Sequence, residues 1–232
     1  SGDGHPVLVL PGLAATDAST KPLRKFLRDR NYAPYAWELG RNLGLRDGLL
    51  EGMLARIDDI FALNGEKISI IGWSLGGVYA REIAKLRPEK VRSVITLGSP
   101  HSGDIHASNA RRFYEYVAGH KVDNPPIKTR LRQAPPVPST SIYTKTDGVV
   151  AWQNCCQEMS HDEVQVEQTE NIRVMGSHCG LGVNPSVLYA IADRLAQAEG
   201  EWTPFEVSGI RKPFFSSDPF SGPLSENQTQ LN

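Results

Sequence analysis

The chain is short of cysteine, of long apolar runs and of any excess of charge, and each shortage removes a class of protein. Its three cysteines, Cys155, Cys156 and Cys179, are too few and too clustered for a disulfide scaffold, and their spacing fits no zinc pattern. The longest apolar runs are of the size of Val7-Leu8-Val9-Leu10, far below the ~18 residues or more that a membrane-spanning helix needs. Basic and acidic side chains nearly cancel, 25 against 26, for a formal charge of −1. Such a balance argues against a protein that holds nucleic acid or an anionic membrane by its overall field. No basic, apolar, small-residue leader opens the chain, yet Ser1-Gly2-Asp3 is not a natural initiation. Removal of an upstream segment therefore stays open, and with it the choice between a cytoplasmic and a secreted soluble protein.

What is present is enough for one ordinary globular domain over residues 1–232, of which 40% are hydrophobic and 22% charged. A chain of this length can bury roughly 70% of the surface it exposes unfolded, so its core needs neither disulfide nor metal. Apolar β-rich runs alternate with helical stretches, the pattern of a mostly parallel sheet with helices on both faces, an α/β fold. Expected strands are Pro6–Leu10, Ala33–Leu39, Lys67–Gly72, Val91–Leu97, Ser139–Thr144 and Asn171–Met175. Expected helices are Ser19–Arg30, Arg46–Leu63, Leu75–Leu86 and Pro185–Gln197. The second of these helices carries Leu49, Met53, Ile57, Ile60 and Phe61 at helical spacing and stops at Asn64-Gly65. The alternation lapses over residues 101–138, read as a small cap insertion with a short amphipathic piece at Asn109–Val117. Residues 201–232 carry four prolines and few periodic apolar positions, which reads as an irregular tail.

The segment rich in chemistry is Ile70-Ile71-Gly72-Trp73-Ser74-Leu75-Gly76-Gly77, a Gly-x-Ser-x-Gly between an expected strand and an expected helix. In that setting a serine sits on a sharply turned backbone with its hydroxyl at the carboxyl end of the sheet, and glycines on both sides let the turn pack. A serine hydroxyl is a poor nucleophile until a base takes its proton, and the base needs a third group to orient it.

With those residues the chain resembles the α/β-hydrolase superfamily, and more narrowly its bacterial lipase and carboxylesterase branch. The resemblance runs from the start of the chain to about residue 200. It implies a triad in the order serine, acid, histidine, with acid and base on loops after later strands. Asp147, in Thr146-Asp147-Gly148-Val149-Val150, matches the acid loop, and His178, in Gly176-Ser177-His178-Cys179-Gly180, matches the histidine loop. His5, His101, His106, His120 and His161 lack that order and position. Asp104, Asp123 and Asp162 do not sit directly at a strand's carboxyl end, and Asp193 follows the histidine. Leu10-Pro11-Gly12-Leu13 is similar to the family's oxyanion segment. The backbone N–H groups of Leu13 and Leu75 are then the expected oxyanion donors, with Ala14 as the alternative to Leu13. Leu97-Gly98-Ser99-Pro100-His101-Ser102-Gly103 is similar to a Gly-Ser-Pro-His-x-Gly segment found near such active sites. Larger members begin with an antiparallel hairpin that has no counterpart before Pro6, which implies a reduced core of about six strands.

The resemblance implies a serine carboxylic-ester hydrolase working through an acyl-enzyme, with no metal and no organic cofactor. Near-zero charge gives no steering, so the expected substrate is a small neutral ester with a short or medium acyl chain. Trp73 and Trp152 are the candidate pocket aromatics, with Phe113 and Tyr116 in the insertion as further ones. Cys179 is either a free thiol or bridged to Cys155 or Cys156, and an oxidising compartment favours the bridge. Acyl transfer to an alcohol is the nearest alternative activity. A peroxidase or an amidase shares the same triad, and a silent hydrolase fold acting as a binding module belongs to another class.

Overall fold

The structure is a computed structural model, and it describes residues 2–102, 132–157, 168–215 and 222–223. The strands are β1 (Pro6–Leu10), β2 (Ala33–Ala36), β3 (Ile68–Trp73), β4 (Val91–Leu97), β5 (Ser139–Tyr143), β6 (Thr169–Arg173) and β7 (Gly222–Pro223). The helices are α1 (Lys21–Asp29), α2 (Leu49–Asn64), α3 (Leu75–Leu86) and α4 (Pro185–Leu195). One sheet runs β2-β1-β3-β4-β5-β6-β7, parallel through its first six strands and antiparallel only where β7 meets β6.

The two-residue period of a strand divides the core. In β1, Val7 and Val9 join Leu23 and Leu27 of α1 and Val187, Ala190 and Ile191 of α4 on one face. Leu8 and Leu10 of the same strand join Met53, Ile57 and Ile60 of α2 and Tyr79, Ala80 and Ile83 of α3 on the other. Each wholly buried Leu or Ile contributes about 1.5–3 kcal/mol relative to exposure, so the two faces together hold the helices to the sheet. The expected α/β architecture with six parallel strands is the one found.

Several boundaries move for identifiable reasons. Strand β2 stops at Ala36 rather than Leu39, because the N–H groups of Trp37 and Glu38 donate to the Asp17 carboxylate (both 3.1 Å) and Glu38 turns left-handed at φ 62°. Helix α2 begins at Leu49 rather than Arg46, after Gly48 at φ 77°. Strand β6 begins at Thr169, two residues earlier than expected, and carries a wholly buried Glu170. That carboxylate is held by Arg194 (2.9 Å), the Thr140 hydroxyl (3.0 Å) and the Phe205 N–H (2.7 Å), which is how a charge enters a strand that polarity alone would end early.

The tail, expected as irregular, packs against the body where it is described. Phe205 and Phe215 meet Tyr189 of α4 with ring centroids 6.2 and 5.9 Å away, Phe215 bridges Val174 antiparallel, and β7 pairs with Asn171 and Glu170. Three aromatic contacts without helical or strand period escape a periodicity reading. In the insertion, residues 103–131 lie outside the described residues, and with them Asn109–Val117, Phe113, Tyr116, His106, His120, Asp104 and Asp123. His161 and Asp162 lie outside them as well.

Two histidines serve the fold. His5 bonds Asp3 (2.5 Å) and Ser69 (2.9 Å) at the amino end of the sheet, and His101 bonds Ser141 (3.0 Å); both are 1% exposed. Burial pushes both imidazoles below their usual 6.5. The unfolded chain then binds more protons than the folded one below that value, so stability declines as the pH falls from 6.5 toward the folded pKa. Each such group gives a slope of up to about 1.4 kcal/mol per pH unit. Thermal melts followed by circular dichroism should show Tm falling on acidification below pH 6.5, and falling less in His101→Gln, which has no imidazole to titrate.

Candidate active site

Strand β3 ends at Trp73 and α3 begins at Leu75, which leaves Ser74 alone at the junction with φ 52° and ψ −122°. A non-glycine residue in that region stores about 1–3 kcal/mol of strain and persists only where its surroundings impose it. The Ser74 N–H donates to the Leu97 carbonyl (2.8 Å), and its own carbonyl accepts from the Gly77 N–H (2.9 Å). A Cβ on Gly72 would overlap the Gly76 carbonyl and the Gly77 backbone, and one on Gly76 would lie 2.6 Å from the Leu10 carbonyl oxygen. The Gly-x-Ser-x-Gly spacing is thus what allows strand, turn and helix to touch. Ser74 is half-buried at the carboxyl end of the sheet. The Leu75 N–H opens α3 and meets no acceptor among the described residues.

Asp147 follows β5 in a tight turn. Its Oδ1 accepts the N–H groups of Val149 and Val150 (both 2.8 Å), and its Oδ2 lies 2.6 Å from Nδ1 of His178. The carboxylate is 1% exposed and the imidazole 9%. With Nδ1–H donating to the carboxylate, Nε2 is the nitrogen left with a lone pair, the tautomer a general base needs. His178 opens a 3-10 turn, His178–Val183, between β6 and α4. That turn is anchored at both ends: the Trp73 indole N–H donates to the His178 carbonyl (3.2 Å), and the Asn184 amide, which also caps α4, donates to the Met175 carbonyl (2.8 Å).

The loop after β1 lies alongside. A Cβ on Gly12 would stand 3.4 Å from the Ser74 Cβ. The Ala14 N–H is engaged by the Asn42 carbonyl (2.6 Å), whereas the Leu13 N–H meets no acceptor among the described residues. Of the two expected donors at this loop, Leu13 is therefore the one with an N–H to offer.

Ser74, Asp147, His178, Leu13 and Leu75 thus gather at the carboxyl ends of β1, β3, β5 and β6. Of the two candidate pocket tryptophans, Trp73 directly precedes Ser74 in sequence and Trp152 follows Asp147. The Trp73 ring packs beneath the histidine turn, where a Cβ on Gly182 would come within 2.9 Å of it. The contacts described for Trp152 are a stack on Tyr143 (5.8 Å) and the Lys145 ammonium over its ring (4.3 Å), in a cluster with Val150, Cys155 and Cys156. Of the two alternatives for Cys179, the free thiol is the one described: Cys155 and Cys156 are buried free thiols in that cluster, and Cys179 is exposed beside His178. Asp193 pairs with Arg194 on α4.

Gly98, expected only as part of the Leu97–Gly103 segment, backs the pair directly, since a Cβ on it would lie 3.1 Å from His178 Nδ1 and 3.2 Å from Asp147 Oδ2. Gly98 has φ 55°, and its place immediately after β4 was the available signal. Sequence reasoning missed Asn42, and no motif marks it. Among the described residues no group of three or more His, Cys, Asp or Glu side chains gathers as a metal site, and no helix is long and apolar enough to cross a membrane.

The sequence profile of the palmitoyl protein thioesterase family matches residues 6–164, more than half of the chain and including Ser74 and Asp147. The chain belongs to the palmitoyl protein thioesterase family. It is similar to triacylglycerol lipases of Pseudarthrobacter phenanthrenivorans and Burkholderia plantarii, each 31% identical over 112 residues, or 44% of this chain. The matched stretch spans only about a third of those relatives, 35% and 31% of their length. Among solved structures, Aspergillus fumigatus lipase B superposes with a TM-score of 0.59 at 17% identity, covering 85% of this chain and 54% of the lipase. That likeness establishes the α/β-hydrolase fold, and the thioesterase family places the chain among the lipase and thioesterase types of it.

In this family member the crowding at Gly98 is directly testable. Gly98→Ala adds a left-handed alanine and a methyl 2.8 Å from Leu181, which should lower stability by about 1–3 kcal/mol in urea unfolding. The same methyl presses on both His178 and Asp147, so their Nδ1–H resonance in proton NMR should shift.

Proposed function

We propose that the protein hydrolyses carboxylic esters of apolar acyl groups by a serine mechanism. The observation that carries this reading is the 2.6 Å contact between Asp147 Oδ2 and His178 Nδ1, beside a serine held in a strained strand-to-helix turn. Ser74 Oγ attacks the acyl carbonyl while His178 Nε2 takes its proton, so an Oγ–C bond forms as the carbonyl oxygen becomes an oxyanion. The N–H groups of Leu13 and Leu75 receive that oxyanion. Collapse breaks the bond to the leaving group, which departs with the proton from His178. Water then enters, loses a proton to Nε2 and releases the carboxylic acid, restoring the Ser74 hydroxyl. Asp147 keeps the imidazole in one tautomer and balances the positive charge it acquires.

Leu43 (44% exposed), Val149 (38%), Met175 (67%) and Val183 (55%) are exposed apolar side chains close in sequence to Asn42, Asp147 and His178. Exposed apolar side chains on these loops favour an acyl chain over a charged acid, and the expectation of a short or medium chain gains nothing from them. A thioester passes through the same acyl-enzyme with a thiol as leaving group, and the family match favours it as a second reading.

The test is release of p-nitrophenol from acyl esters of increasing chain length, run beside release of thiol from matched S-acyl thioesters. Ser74→Ala should abolish both. Asp147→Asn should lower kcat by about 10³- to 10⁴-fold in a folded protein. Turnover that survives in Ser74→Ala overturns the mechanism, and the ratio of the two activities decides between oxygen ester and thioester.

A further inference from the structure

We propose that Asn42 is a positioning residue that aims the Leu13 N–H at the developing oxyanion, an inference that rests on the serine-hydrolase reading above. Asn42 lies in the connection between β2 and α2 and is 0% exposed. Its backbone N–H donates to the Ala15 carbonyl (2.9 Å), and its backbone carbonyl accepts from the Ala14 N–H (2.6 Å). Its side-chain Nδ2 donates to the Pro11 carbonyl (2.9 Å), and its Oδ1 accepts the Gly44 N–H (3.2 Å), with the Tyr79 hydroxyl of α3 at 3.5 Å.

The placement of these bonds decides what they do. The Leu13 N–H belongs to the peptide unit joining Gly12 and Leu13. The unit before it is held through the Pro11 carbonyl, and the unit after it is held through the Ala14 N–H, both by Asn42. The unit itself is tied inside the loop, its Gly12 carbonyl accepting the Ala15 N–H (3.2 Å), and Asn42 grips that turn at Pro11, Ala14 and Ala15, so the Leu13 N–H is aimed by a turn that Asn42 holds in place. One long internal bond leaves the turn dependent on that outside hold. Pro11 has no N–H, the segment belongs to no helix or strand, and Ala14 is exposed at φ 61°, a conformation alanine rarely keeps unaided. From the other side the loop is backed by α3, since Gly76 sits so near that a Cβ would lie 2.7 Å from the Pro11 carbonyl oxygen. A donor held still before charge develops is worth far more than one that must reorient during reaction.

The experiment compares Asn42→Ala and Asn42→Asp with the full-length wild type, using the p-nitrophenyl ester it turns over fastest. Loss of aim should lower kcat about 10- to 100-fold with KM nearly unchanged. Asn42→Asp has nearly the same shape and keeps the backbone bonds, so it remains testable if Asn42→Ala fails to fold. Its ionised carboxylate cannot donate to the Pro11 carbonyl, but the protonated acid can. The kcat ratio of Asn42→Asp to wild type should therefore rise as the pH falls. A merely structural asparagine would lower Tm without giving the folded variants that split or that pH response. Wild-type kcat in folded Asn42→Ala, or an Asn42→Asp ratio that is flat with pH, overturns the proposal while leaving the hydrolase reading intact. A wild type that neither hydrolyses esters nor labels at Ser74 with a fluorophosphonate removes both.

Discussion

A serine cannot hold φ 52° and ψ −122° by preference, and the organisation of the site follows from what forces it to. The force comes from three backbones meeting within contact distance. The end of β3 passes under the first turn of α3 at Gly72, that turn rests on the end of β1 at Gly76, and β4 takes the Ser74 N–H through Leu97. Any side chain at either glycine would part these layers and let the serine relax. The parallel sheet supplies the rest, because it brings the carboxyl ends of its strands to one edge and so delivers the loops after β1, β5 and β6 to the same place.

Around this turn each partner is oriented by a neighbour that holds it in place. Asp147 is fixed by two backbone N–H groups of its own turn, His178 by Asp147 on one side and the Trp73 indole on its carbonyl, and the loop carrying Leu13 by Asn42. The pattern suits electrostatic stabilisation, in which donors and charges are worth most when they need not move. Trp73 adds to that orientation: its ring fills the space that Gly182 leaves, and its N–H ties the Ser74 turn to the His178 turn.

Much of this was legible in the chain. The strand-turn-helix around Ser74 reads directly, because the glycine spacing, the preceding apolar run and the following helix all carry local signals. Asp147 and His178 are found by order and by their place after strands. What lies beyond local pattern was not readable. Asn42 acts through bonds to residues about thirty positions earlier, and a buried asparagine looks like any loop asparagine. Gly98 could be placed near the site by its segment, but that His178 and Asp147 stand over it shows only in three dimensions. Glu170 broke the expected start of β6 because its partner Arg194 lies on a different element. The stack of Trp152 on Tyr143 and the Lys145 ammonium over its ring join side chains that no local pattern pairs.

The pairing of β7 with β6 and the brevity of β2 bear on how the molecule keeps to itself. An open sheet has two margins, and a long exposed margin invites a neighbouring chain to add a strand. At one margin Gly222 and Pro223 occupy the outer side of β6 and Phe215 bridges Val174, so the tail shields hydrogen-bonding groups that would otherwise face outward. At the other, β2 is four residues long and includes Pro34, which has no N–H to offer a newcomer. The chain thus protects both borders of its sheet by different means, one by covering and one by omission, while the end of the sheet that carries Ser74 stays clear of both devices.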